Sequence, residues 1–170
     1  MKLSDLLPLE KWVELERQVN NRFGLNAAVY NKDGIRITDY ENWANKLCPM
    51  VKANKMGQSF ICALANQNMM AQAIQTRKAV IEECDAGLVK IIVPIFVGDE
   101  FLGVAGGCGL LLNDGEVDYF MVSNATGIDE KEIQGMSDDI NRITTHEAES
   151  LIDYVQEQID MFLSDFRKQA

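Results

Sequence analysis

The chain has 170 residues, 47% hydrophobic and 25% charged, which is typical of a globular domain long enough to bury its own core. Its 26 acidic residues outnumber 16 basic ones, and the resulting formal charge of −10 opposes binding to nucleic-acid phosphates and anionic membrane surfaces. No apolar run approaches the roughly 18–20 residues of a membrane span, and the N-terminus does not resemble a signal peptide. We therefore expect a cytoplasmic protein with reduced cysteines.

The first half of the chain predicts helices around one hairpin. An apolar stripe predicts a helix over residues 3–23, with Gly24 as its stop. The stretch "LNAAVYNKDGIRITDY" predicts a hairpin that turns at Asp33-Gly34. Residues 43–54 predict a helix in which Pro49 fits best near the start, and "QSFICALANQNMMAQAIQTR" predicts a second helix.

Three consecutive strands are predicted next, over residues 79–84, 88–97 and 101–112. A two-residue loop at Gly98-Asp99 would set Val97 opposite Glu100, and counting back along both strands then sets Cys108 opposite Val89. The short "DAG" turn brings Cys84 to the start of the same middle strand. The pattern thus predicts that both thiols flank one end of that strand.

The third of these strands has one face almost free of side chains. Gly103, Ala105, Gly107 and Gly109 alternate along it, and interior glycines in a strand indicate close backbone approach, a bend or a bulge. Two explanations are open. Either a helix packs tightly on this face, or the missing side chains leave a cavity over the sheet.

Residues 144–168 form the clearest helix, with a capping box between Thr144 and Glu147. Apolar residues then follow at heptad spacing: Ala148, Ile152, Val155, Ile159, Phe162 and Phe166. This stripe could pack on its own domain, form a homodimer seam or serve as a signalling helix. We interpret residues 1–170 as one domain, with 144–168 as a terminal dimerisation or signalling helix.

The sequence carries few signatures of catalysis. "GVAGGCG" lacks the lysine and the spacing of a phosphate loop. The single histidine, His146, lies at a helix start where we expect it to be exposed, which leaves Ser/His or Cys/His catalysis without its usual general base. We therefore expect no enzyme activity. Four cysteines at positions 48, 62, 84 and 108 include no C-x-x-C pair, so their spacing favours small apolar core residues over a metal site.

Several motifs together resemble the PocR sensory domain family of bacterial and archaeal regulators. "WANKLC" and "FICALAN" correspond to the family's first two cysteines. "CDAGLVKIIVPI", "GDEFLG" and "AGGCGLLL" correspond to its third cysteine, the apolar strand with proline and the glycine-rich strand. Two positions depart from the family pattern: Asp85 replaces a histidine, and Cys108 replaces a glutamine.

The resemblance implies an α+β, PAS- or GAF-like fold, with a five-stranded antiparallel sheet, flanking helices and a long C-terminal helix. It also implies a small organic ligand, such as a short diol or hydrocarbon derivative, bound between sheet and helices. Binding would act on a regulatory partner or a fused output domain.

This interpretation gives a set of candidate ligand-binding residues: Trp43, Cys48, Cys62, Cys84, Asp85, Phe96 and Cys108. Trp43 and Phe96 would form apolar walls, and Asp85 would accept hydrogen bonds from the ligand. An alternative function is a redox sensor in which Cys48, Cys62, Cys84 and Cys108 bind zinc or an iron–sulfur cluster. A third is a dimeric interaction domain without a ligand.

Overall fold

The computed structural model describes residues 1–169. The helices are α1 (Leu3–Leu6), α2 (Leu9–Phe23), α3 (Leu47–Ala53), α4 (Lys55–Gly57), α5 (Leu64–Thr76), α6 (Tyr119–Thr126), α7 (Glu130–Gly135) and α8 (Thr145–Gln169), with a π-helical segment, Gln58–Ala63, between α4 and α5. The strands are β1 (Asn26–Asn31), β2 (Val80–Glu83), β3 (Val89–Val97), β4 (Glu100–Leu112) and β5 (Arg142–Ile143). In the part of the chain so described, no helix combines the length and apolarity needed to cross a membrane.

The strands form one open sheet in the order β1-β4-β3-β2, with all three of these pairings antiparallel. The two residues of β5 extend the sheet by pairing in parallel with Leu111 and Leu112 at the end of β4. Helices precede, interrupt and follow the strands, and α8 is the longest of them. The predicted α+β class with a five-stranded sheet and a long C-terminal helix is confirmed, and it fits a PAS- or GAF-like fold.

The predicted N-terminal helix and the predicted hairpin are both shorter than expected. Pro8 separates α1 from α2, because proline suits the start of a helix and not its interior. The hairpin turn forms, with Asn31 Oδ1 accepting from the backbone N–H groups of Asp33 and Ile35, but only a single bridge joins Tyr30 to Arg36. The other edge of β1 pairs fully with β4, so the sheet continues there.

The register between β3 and β4 differs from the predicted one. Val97 lies opposite Glu100 as expected, but the pairing shifts between Ile95 and Phe96, so Cys108 lies opposite Lys90. The predicted partner, Val89, lies opposite Leu110 after a second shift. These irregularities are bulges, and each one changes which residues share a face of the sheet.

The glycine-rich face of β4 packs closely against the rest of the core. A side chain at Gly103 would collide with the Tyr30 carbonyl oxygen, and one at Gly107 would come within 2.9 Å of Leu25 Cβ. Gly103 also has φ +154°, which L side chains rarely adopt. Close packing therefore explains the absence of side chains at these two positions, while Gly107 and Gly109 of the same face also line the cavity described below.

Helix α8 buries its stripe within its own domain. Ala148, Leu151, Val155 and Ile159 are at most 1% exposed and belong to one core cluster with Trp12 and the odd-numbered residues of β3. Phe162 completes this packing with an edge-to-face contact to Trp12, 5.7 Å between ring centroids. The heptad stripe is therefore used inside the domain, and dimerisation through α8 stays a prediction.

Candidate ligand-binding site

A cavity of about 250 Å³ lies between the sheet and the helical segment that runs from α3 to α5, on the face of the sheet that α2 and α8 do not cover. Its floor is formed by residues of β1, β3 and β4: Asn26, Ala28, Tyr30, Lys90, Ile92, Gly106 and Cys108. Its opposite wall is formed by residues of the helices: Leu47, Cys48, Val51, Lys52, Ile61, Cys62 and Asn66. The site therefore lies on the side of the sheet away from α2 and α8.

The π-helical segment forms part of this wall. It widens one turn within an otherwise continuous helical run, and Ile61, Cys62 and Ala63 from it line the cavity. Such widened turns occur frequently at functional sites. Asn54 anchors the start of this run, since its Oδ1 accepts from the N–H groups of Met56 (3.1 Å) and Gly57 (2.9 Å), while its Nδ2 donates to the Thr126 carbonyl (3.0 Å).

All four cysteines of the chain line this one cavity. Cys48 is held by Asn45, whose Oδ1 accepts from the Cys48 N–H (2.7 Å) and whose Nδ2 donates to the Gly109 carbonyl (2.6 Å). Cys84 begins the tight turn into β3 and donates its N–H to the Leu88 carbonyl (2.9 Å). The thiols thus come from α3, the π-helical segment, the β2–β3 turn and β4.

Burial favours the protonated form of three of these thiols. Burial raises the pKa of the Cys62 thiol to about 11, and the nearby Cys108 raises it further in the same direction. Burial is also the main reason why the pKa values of Cys48 and Cys84 are raised. Since the thiolate is the nucleophile and the metal ligand, these three groups are unreactive at neutral pH in this arrangement. Among residues 1–168, no three His, Cys, Asp or Glu side chains lie where they could hold one metal ion.

Three cationic side chains also line the cavity. Arg36 is neutralised by two carboxylates, at 3.6 Å from Glu16 and 3.7 Å from Glu41. Lys90 is only 8% exposed, and its Nζ lies 5.0 Å from the centroid of the Tyr30 ring. Lys52 is half-buried, with Nζ 5.5 Å from the Trp43 ring centroid. Neither lysine forms an ion pair within the described residues.

The family model described as the sensory domain found in PocR matches residues 5–165 of the chain. The chain belongs to the PocR sensory-domain family. The match extends from α1 to near the end of α8, so the elements that form the cavity all lie within it. Searches of curated proteins and of solved structures found no match.

Five of the seven predicted site residues line the cavity of this PocR domain: Trp43, Cys48, Cys62, Cys84 and Cys108. Asp85 lies outside it, because it sits at the exposed tip of the turn closed by the hydrogen bond from Gly87 N to Cys84 O, and Cys84 and Ala86 face the cavity instead. The predicted role of Asp85 as a hydrogen-bond acceptor for the ligand therefore does not fit its position.

Phe96 also lies outside the cavity of the PocR domain. It is four residues beyond Ile92 on β3, which places it about 13 Å further along the strand. There it packs against Phe101, with 5.3 Å between ring centroids, and under the guanidinium of Arg77 at 4.0 Å. The structure therefore does not place Phe96 in the wall of this cavity, because β3 extends beyond it.

Sequence reasoning missed three polar residues of this PocR domain's site. Lys90 was overlooked because the predicted register set Val89, and not Lys90, beside Cys108; a single lysine within the apolar run "LVKIIVPIFV" was the available signal. Asn45 holds Cys48 against β4. Asn66 is 5% exposed, and its Oδ1 is buried without a hydrogen-bond partner.

Proposed function

We propose that this domain is a small-molecule sensor whose ligand occupies the cavity between the sheet and the helices α3 to α5. The observation that carries the proposal is the cavity itself, which has about 250 Å³ of space, mostly apolar walls and a few buried polar groups. An apolar cavity of about 150 Å³ accommodates benzene. The ligand is therefore expected to be a molecule somewhat larger than benzene.

The position of β3 suggests how ligand binding in the cavity changes the packing on the other face of the sheet. Lys90 and Ile92 face the cavity, while Ile91 and Val93 belong to the core that α8 covers on the other side. A ligand that binds one arrangement of β3 better than another would shift the packing of α8. We propose that α8 passes this change to a regulatory partner or an output domain, with a homodimer through α8 as the assembly.

The two tryptophans of the chain allow a direct test of binding. Trp43 lines the cavity, whereas Trp12 is fully buried in the core on the opposite side of the sheet. Tryptophan fluorescence would be titrated with short diols, alkanols, primary amides and carboxylates of three to seven carbon atoms. We expect a saturable change with at least one of these probes, which Trp43→Phe removes.

Ala28→Leu is the variant that tests the cavity directly, because its larger side chain fills the cavity from β1 without altering a polar group. We expect the affinity of any bound probe to fall at least tenfold in this variant. Binding that is unaffected by Ala28→Leu, or no binding by any probe, would contradict the proposal.

A second candidate function is a thiolate-bound zinc ion or iron–sulfur cluster, and the four thiols that line one cavity favour it. Such a site would require the thiols to lose their protons and to approach one another more closely. Protein purified anaerobically without chelator would be analysed for zinc and iron and by visible absorption. Stoichiometric metal that is lost on Cys48→Ala and Cys108→Ala would establish this candidate, and its absence would remove it.

A further inference from the structure

The charge of the cavity lining is opposite to the charge of the chain. The formal charge of the protein is −10, yet the lining contains Arg36, Lys52 and Lys90 and no Asp or Glu. Arg36 is compensated by Glu16 and Glu41, and it also donates to the carbonyl oxygens of Ala27 and Tyr40. The excess positive charge of the cavity thus rests on the two lysines.

Lys90 is the more informative of them. Its side chain is more than nine-tenths buried on the cavity floor, and within the described residues its ammonium has neither an ion-pair partner nor a hydrogen-bond acceptor. The face of the Tyr30 ring lies 5.0 Å from its Nζ, and a ring quadrupole compensates an ammonium less than a carboxylate does. Buried charges in proteins are normally paired.

No carboxylate of the cavity lining supplies the missing negative charge. Burial raises the pKa of the Tyr30 phenol and of the Cys48, Cys62 and Cys84 thiols, so these four groups are neutral at physiological pH. The other groups near Lys90 are aliphatic and amide side chains and the Cys108 thiol, which lies opposite Lys90 on β4. An anion that enters the cavity would therefore meet an uncompensated ammonium in an environment of low polarity, where the attraction is strong.

We infer that the ligand of this PocR domain is a small organic carboxylate, bound through its carboxylate group to Lys90 with its apolar body among the aliphatic and thiol side chains of the cavity. This inference rests on the proposed function and adds the chemical class of the ligand. The cavity volume suits a carboxylate with a body about the size of a benzene ring or a short alkyl chain. A neutral molecule of the same shape would leave the ammonium uncompensated.

Matched pairs of probes test the inference: butyrate with butyramide, hexanoate with hexanamide, and benzoate with benzamide. Each pair has almost the same shape and differs in charge. Calorimetric titration of the full chain is expected to give a Kd for at least one carboxylate that is roughly 10- to 100-fold lower than that of its amide, as for a charge-assisted hydrogen bond. Lys90→Met is expected to abolish this preference, whereas Lys78→Met, at an exposed position, is expected to keep it.

Lys90→Arg serves as the second variant, because it keeps the positive charge and is expected to retain the preference for the acid even if Lys90→Met folds poorly. Amides that bind as tightly as their acids would overturn the inference while leaving the proposed function in place. A preference for the acid that survives in Lys90→Met would also overturn it. Failure of acids, amides, alkanols and diols alike to bind would overturn the inference and the proposed function together.

Discussion

Ala27 and Ala28 are adjacent on β1 and point to opposite sides of the sheet, so the same substitution at each tests whether the cavity exists. Ala28 lines the cavity, and its backbone partner on β4 is Gly106. Ala27 is 1% exposed in the core cluster that contains α2 and α8. Leucine adds three carbon atoms in either case.

The two substitutions are expected to change the free energy of unfolding in opposite directions. At position 28 the added carbons enter empty space, and at about 0.8 kcal/mol for each buried methylene the gain is at most about 2.4 kcal/mol. At position 27 they enter a close-packed core, where overpacking costs about 1–3 kcal/mol. The variants should therefore differ by about 1 kcal/mol at least and roughly 5 kcal/mol at most, with Ala28→Leu the more stable.

Urea unfolding followed by circular dichroism would measure this difference, and thermal unfolding would provide a second estimate at about 2–4 °C per kcal/mol for a chain of this size. Both variants should unfold with the same denaturant dependence as the wild type, since each exposes nearly the same surface on unfolding. Equal destabilisation by the two leucines would show that the space beside Ala28 is closed in solution, and it would refute the cavity.

Three further predictions concern the thiols and helix α8. At pH 8 we expect iodoacetamide to alkylate Cys62 about 100-fold more slowly than a thiol with the ordinary pKa of 9.0, because a pKa of about 11 lowers the thiolate fraction by that factor. Rapid labelling of Cys62 in the folded protein, measured by mass spectrometry, would contradict the described burial. We expect Leu151→Ala to lower the free energy of unfolding by about 2–5 kcal/mol, and Met161→Ala, at a 48% exposed position, to lower it by less than about 0.5 kcal/mol. Equal losses for the two variants in urea unfolding would contradict the packing of α8. Sedimentation velocity is expected to show a dimer that Met161→Glu weakens without loss of helix content, and a wild-type protein that is monomeric at all concentrations would refute dimerisation through α8.

Local sequence signals predicted the turns and elements that depend on neighbouring residues. The loop at Gly98-Asp99 produced the expected pairing of Val97 with Glu100, and Pro49 lies in the first turn of α3 as expected. The shift beyond Phe96 was not predictable, because a bulge is stabilised by packing between distant segments and leaves no fixed spacing in the sequence. Because the predicted register was off by one residue, Val89 and not Lys90 was placed beside Cys108, and Lys90 was left out of the predicted site.

Periodic patterns showed which residues share a face but not what covers that face. The small residues of β4 and the stripe of α8 were each compatible with two environments. The chain's own core covers the stripe of α8 and Ala105 of β4, whereas Gly107 and Gly109 line the cavity. The family resemblance grouped Cys48, Cys62 and Cys84, and the predicted strand pairing added Cys108; in the structure all four line the cavity. Their role in ligand binding is a proposal that rests on this placement.

The most direct test of the account is a high-resolution crystal structure of the protein purified without chelator and soaked with the carboxylate that binds best in the paired titrations. We expect density for an organic molecule in the cavity, with its carboxylate in contact with Lys90 Nζ and its body beside Cys62 and Cys108. A cavity closed by the side chains of α3 and the π-helical segment, or a metal bonded to the thiols, would contradict it.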